Sequence, residues 1–242
     1  MSKHNLCLTE SEVIELLEAA RKGSIHDHAL LSTIYELALR SSEATALKRE
    51  DVSFTRNYVS VKALKRSKEK RDKDTGKITR ARKPPPIYDV PVSPELLGIL
   101  RTHIDRSPKS EWLFPHHKDS SLPMTRSRAK YTYYKAATKI GLGRRYDWHP
   151  HLLRIAKATH KSQWLAEQNT APLEAVSEIQ DTLRHATTTM AFEYVKATSK
   201  TRELGRQADA ALASRILGKK KPSDAPVEKS AVPADANKDG TP

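Results

Sequence analysis

The chain has 242 residues, 37% of them hydrophobic, with 43 Lys and Arg against 29 Asp and Glu, a formal charge of +14 and a pI near 9.8. That length supports one domain with extensions, and that charge implies a polyanionic partner, whether DNA, RNA or an anionic membrane surface. No apolar run approaches the roughly 18 residues of a spanning helix, the first ten residues lack a signal-peptide core, and the single Cys7 excludes an internal disulfide and a multi-cysteine zinc site, all of which points to an intracellular protein.

Thr9 and Glu12 predict a capping box, and Val13, Leu16, Leu17 and Ala20 follow at helical spacing up to a stop at Gly23. A second helix is expected from about His28, with Leu30, Leu31, Ile34, Leu37 and Ala38 on one face, ending near Arg40 and Ser41. Ser42 is expected to cap a further turn or two through Leu47. The period then changes. Tyr58-Val59-Ser60-Val61 and Tyr88-Asp89-Val90-Pro91-Val92 read as the two strands of a hairpin with a long basic tip. Ser93 and Pro94 start a helix whose core face is Leu96, Leu97 and Leu100. Thr125 caps a helix rich in Arg, Lys and Tyr that runs to about Ile140. Further helices are expected at about 151–168, 172–183, 186–196 and 200–217, and residues 218–242, almost devoid of large apolar side chains, read as a disordered tail. The expected fold class is α+β, mostly α-helical, with a small antiparallel β-sheet at about residues 57–92.

The basic charge is clustered. Residues 62–83 carry eleven Lys and Arg against three acids, and residues 126–161 carry ten against Asp147 alone. Such clustering is the electrostatic footprint of a nucleic-acid binder. Candidate DNA contacts are Lys62, Arg66, Lys68, Lys70 and Arg71 in the hairpin, and Arg126, Arg128, Lys130, Arg144 and Arg145 beyond it. Solvated loops and helix faces produce similar runs, so charge alone does not decide the point. Tyr131, Tyr133 and Tyr134 lie among these bases, where stacking, phosphate contact and core packing are all open.

The chemistry lies in three short segments: Leu39-Arg40-Ser41-Ser42-Glu43-Ala44, Pro150-His151-Leu152-Leu153-Arg154, and Leu183-Arg184-His185 with Tyr194 nine residues beyond the histidine. His151 and Arg154 stand three apart and share one helix face. Polar residues that interrupt otherwise apolar helices mark the places where function overrides packing. In order and spacing these segments resemble the boxes of the tyrosine recombinases, the phage-integrase family. Arg40 with Glu43, followed by Leu47 to Asp51, resembles the first arginine box. Pro150 to Arg154 is similar to the His-x-Leu-Arg box. Leu183 to His185 and Tyr194 resemble the Leu-Gly-His box and its nucleophile. The resemblance covers roughly residues 8–200, with a basic hairpin between the first two boxes. Ala38 and Arg184 stand where that family carries glycine, and the 31-residue interval from Arg154 to His185 reads as an insertion around Asn169 to Pro172.

The resemblance implies a catalytic domain over residues 1–217 that cuts and rejoins DNA through a 3′-phosphotyrosine; the family's separate N-terminal core-binding domain is not expected in this sequence, where only about seven residues precede the first helix. Arg40 and Arg154 would hold the phosphate, with a hydrogen bond from His185. A planar, permanently charged fork suits that task. Tyr194 would be the nucleophile. Its ordinary pKa of about 10 calls for a base, and His151 is the nearest candidate. The leaving 5′ oxygen would take its proton from a hairpin lysine, Lys65, with Lys62 as the alternative. No cofactor, metal or ATP is implied. The implied partners are double-stranded DNA and further copies of the chain, as a dimer or tetramer on it. A type IB topoisomerase, a telomere resolvase and a non-catalytic DNA-binding protein on the same fold remain open.

Overall fold

Helix α1 (Glu10–Gly23) starts at the expected box: Glu12 N donates to Thr9 Oγ1 and Thr9 N to Glu12 Oε2. Such reciprocal capping satisfies two amides that have no partner within the helix. This is a computed structural model, and it describes residues 7–64, 70–71, 78–80, 84–142, 150–184 and 191, with backbone alone at 70–71 and 78–80. All of these belong to the first of two units, Met1–Arg202. The second, Glu203–Pro242, lies outside the described residues, as do Lys65, Arg66, Lys68, Arg144, Arg145, His185 and Tyr194.

Helix α2 (Ile25–Glu36) begins three residues before the expected His28 and stops four residues before Arg40. Ser24 ends α1 and caps α2, accepting from Asp27 N at 3.0 Å. The early stop was hidden because Leu37, Ala38 and Leu39 stay fully buried past the helix end, so the apolar pattern runs on into the turn. Ala38 lies in the left-handed region at φ 47. The Glu36 carboxylate accepts from Ser93 N and Ser93 Oγ, tying this corner to the next helix. Residues Ala29 to Ile34 are all buried, as expected of a helix packed on every side. Helix α1 and the later helices Pro94–Arg106, Arg126–Lys139 and His151–Glu167 surround it.

Helix α3 (Ser41–Thr45) is capped by Arg40 rather than Ser42, and a 3₁₀ turn (Arg49–Asp51) follows. Strand β1 (Val52–Ser53) adds a third strand that the sequence did not announce. It pairs with β2 (Tyr58–Lys62), which pairs antiparallel with β5 (Ile87–Pro91) in the register Tyr58 to Pro91 and Lys62 to Ile87. Val59 and Val61 point into the core and their neighbours do not, the alternation of a strand with one buried face. The hairpin tip also contains a two-stranded sheet, β3 (Lys70–Arg71) with β4 (Ile78–Arg80), which places Lys70 and Arg71 on a strand rather than in a plain loop.

Helix α4 (Pro94–Arg106) follows the Ser93 cap and buries Leu96, Leu97 and Leu100. Helix α5 (Arg126–Lys139) is capped by Thr125. Helices α6 (His151–Glu167) and α7 (Pro172–Leu183) pack together over a small core of Ala38, Ala158, Leu165, Val176, Ile179 and Leu183. Helix fills almost the whole Arg154–His185 interval, since only residues 168–171 separate α6 from α7. Among the described residues no helix is long and apolar enough to cross a membrane.

Candidate phosphate-binding site

Two helix C-termini meet at the centre of the site. The last carbonyls of a helix lack partners within it and carry partial negative charge, so guanidinium groups are favoured there. Arg154 supplies one. It is only 1% exposed, and Nη1 donates to Ala38 O at 2.5 Å, beyond the end of α2, while Nη2 donates to Leu183 O at the end of α7. Arg184 supplies another. It caps α7 in the left-handed conformation at φ 50 and sends its side chain back across the same corner. Its Nη1 donates to Leu37 O at 2.9 Å and to Thr182 O at 3.2 Å, and its Nη2 to Ala38 O at 3.1 Å.

One buried carboxylate joins these groups to Arg40. Glu43 is 2% exposed. It accepts from Arg40 N at 2.9 Å and from Arg40 Nη1 at 2.7 Å. Arg184 Nη2 stands 3.5 Å and Arg154 Nη1 3.7 Å from Oε2, the oxygen that accepts from Arg40 N. Burial alone would raise the Glu43 pKa, but the Arg40 hydrogen bonds and the charges of Arg184 and Arg40 outweigh it and hold the group below its ordinary value. Burial in turn lowers the Arg184 pKa, against the charge of Glu43.

The structure therefore brings Arg40 and Arg154, 114 residues apart in sequence, onto one carboxylate. Arg40 keeps 28% of its side chain exposed, so it faces outward while Arg154 anchors behind it. His151 is exposed at the first turn of α6, whose N-terminus favours an anion. Glu43 supports the site through its contacts with all three arginines. Arg184 is legible in the sequence only as a residue standing where the resembled family carries glycine, and nothing there says that it folds back onto the end of α2.

Of the basic candidates, Arg126 and Lys130 are exposed on α5, Arg128 lies over the Tyr131 ring at 5.2 Å, and Lys62 is half-buried at the end of β2. Tyr131 is 52% exposed and Tyr133 is fully buried, which divides the tyrosines between surface and core. His160 is structural: one ring nitrogen bonds Leu8 O at 2.8 Å and the other meets Tyr35 Oη at 3.0 Å. A cleft of about 1090 Å³ is lined by Leu37 and Arg184 of this corner and by charges of both signs, Glu36, Asp89 and Asp181 with Lys157 and Lys161. Among the described residues no group of three His, Cys, Asp or Glu side chains is placed to hold a metal ion.

The chain is similar to several known recombinases. The tyrosine recombinase XerA of Pyrococcus furiosus is 29% identical over 198 residues, covering 80% of this chain and 58% of that protein. The crystal structure of XerA recombinase superposes with a TM-score of 0.62 at 22% identity, over 86% of this chain and 65% of that one. XerH site-specific recombinase bound to difH substrate superposes at 0.57 with 18% identity, over 85% and 55%. These likenesses establish the fold, and the chain spans about three fifths of the length of the XerA relative. Residues 7–201 match the phage integrase family from end to end of the three boxes, and the chain belongs to that family.

Proposed function

We propose that this chain is a site-specific DNA recombinase that cleaves and rejoins strands through a 3′-phosphotyrosine. The observation that carries the reading is the convergence of Arg40 and Arg154 on Glu43, with His151 at the mouth of α6, in a member of the phage integrase family. Arg40 faces the phosphate and stabilises the negative charge that builds on the non-bridging oxygens during in-line attack, and Arg154 joins it when its guanidinium turns from the Ala38 and Leu183 carbonyls towards the bound phosphate. His185 adds a hydrogen bond. Tyr194 Oη attacks phosphorus and gives its proton to His151. The 5′ oxygen leaves and takes a proton from Lys65, or from Lys62. Attack by a 5′ hydroxyl then reverses the sequence and releases the tyrosine. The phosphotyrosyl link conserves the bond energy, so neither ATP nor a metal ion enters the balance.

The basic hairpin and the exposed face of α5 hold the duplex backbone, with Lys62, Arg66, Lys68, Lys70, Arg71, Arg126, Arg128, Lys130, Arg144 and Arg145 as its contacts. Two or four copies assemble on double-stranded DNA, in the cytoplasm. Related structures support this reading by analogy: XerH is bound to its difH substrate, and lambda integrase is a dimer on a core site.

The test uses a pool of sequence-randomised, nicked duplexes. Wild-type protein is expected to form a covalent adduct that survives denaturing electrophoresis, and Tyr194→Phe none. An adduct that persists in Tyr194→Phe removes the assignment. Relaxation of supercoils without sequence preference replaces it with a topoisomerase.

A further inference from the structure

Arg184 carries two costs. It is a long side chain at φ 50, where residues with a Cβ are disfavoured, and its guanidinium is buried. Ala38, whose carbonyl it holds, lies at φ 47 and has the same backbone difficulty. Such conformations persist only where their surroundings determine them, and they gather at functional sites. The surroundings here are mutual. Arg184 donates to Leu37 O and Ala38 O, Arg154 donates to Ala38 O and Leu183 O, and both stand by the Glu43 carboxylate that receives Arg40. Arg184 is also the chain neighbour of His185.

We propose that Arg184 is a positioning residue of the phosphate site: its guanidinium locks the Leu37–Ala38 turn that presents Arg40 to the end of α7, from which the chain continues to His185. It makes no contact with substrate. It acts through the direction of Arg40, and the proposal's link to catalysis rests on the recombinase reading.

Two measurements on the full chain separate the proposal from that reading. The first is amide hydrogen exchange, which needs no DNA. Arg184→Gly, free of left-handed strain itself, is expected to raise exchange at residues 37–44 about tenfold while α1 and α4 keep their protection. The second is single-turnover cleavage of the duplex pool. Arg184→Gly is expected to slow adduct formation about tenfold to a hundredfold, because small misplacements of a positioned group cost that much. Duplex affinity stays within about twofold, since the phosphate contacts that set it remain. Adding Ala38→Gly, which makes the turn strain-free, restores most of the rate per folded molecule. Arg184→Lys, which keeps the charge, serves if the glycine variant does not fold, and is expected to show the same local loosening to a smaller degree. Unchanged exchange at 37–44, or an equal rise throughout the chain, overturns the proposal. So does wild-type cleavage by Arg184→Gly or Arg184→Lys. A wild-type protein that forms no adduct sinks the recombinase reading alone, and the exchange experiment still decides whether Arg184 holds the turn.

Discussion

Arg154 Nη1 donates to the carbonyl oxygen of Ala38 at 2.5 Å, so the arginine of the second box is fastened to the turn that presents the arginine of the first. Arg154→Lys keeps a positive charge but loses the planar fork that spans Ala38 and Leu183. Adduct formation is expected to fall by about 10²- to 10³-fold, the usual loss when a transition-state donor is removed, while duplex affinity changes little. Parallel cleavage and binding titrations check this, and equal losses in both would contradict it.

Glu43 holds three guanidinium groups, so its charge matters more than its shape. Glu43→Gln keeps an acceptor for Arg40 N but leaves the cations uncompensated, at an expected cost of about 3 kcal/mol in urea unfolding. The Glu43 pKa is lower in the folded chain, so its stabilisation is present above the ordinary value of 4.5 and is lost as pH falls through the lowered value. The gap between wild type and Glu43→Gln should therefore narrow in acid. A constant gap would show that the charge is not what stabilises.

His26 packs 4.9 Å from the His103 ring and 6.0 Å from Phe114. Burial, with the neighbouring His103 and Arg128 charges and against Asp27, pushes its pKa from 6.5 down to about 4. The folded chain keeps this ring neutral while the unfolded chain takes up a proton, so stability stands above pH 6.5 and drains away as pH falls towards 4. The loss between pH 6.5 and 5 should be about 1.5 kcal/mol. His26→Phe should flatten thermal unfolding across that window, and an unchanged slope would remove His26 as its source.

The exposed side chains of Arg126 and Lys130 on α5 make a different kind of claim. If each neutralises one phosphate, Arg126→Ala and Lys130→Ala should each reduce the slope of log affinity against log salt by roughly one, uniformly across sequences. Titrations at several salt concentrations read this directly. An unaltered slope would take α5 out of the DNA interface.

Tyr131 and Tyr133 were equivalent in the sequence and are opposites in the fold. Tyr133→Ala empties a fully buried site and should cost about 3–5 kcal/mol. Tyr131→Ala, at an exposed position, should stay within about 0.5 kcal/mol. Chemical denaturation of the two variants distinguishes them.

The sequence by itself determined the helices with local caps, because Thr9 with Glu12, Ser93 with Pro94, and Thr125 each act within one turn. It also determined the β2–β5 hairpin from alternation, and the order of the three boxes. The end of α2, the extra strands β1, β3 and β4, and the capping of α3 by Arg40 were decided elsewhere. Leu37 and Ala38 keep a helical apolar pattern while their carbonyls turn to meet Arg154 and Arg184 from beyond residue 150. A sequence displays residue types and spacing. Which carbonyl a distant guanidinium reaches, and that Arg40, Arg154 and Arg184 share one carboxylate, are properties of how α2, α6 and α7 pack, and only the tertiary structure fixes them.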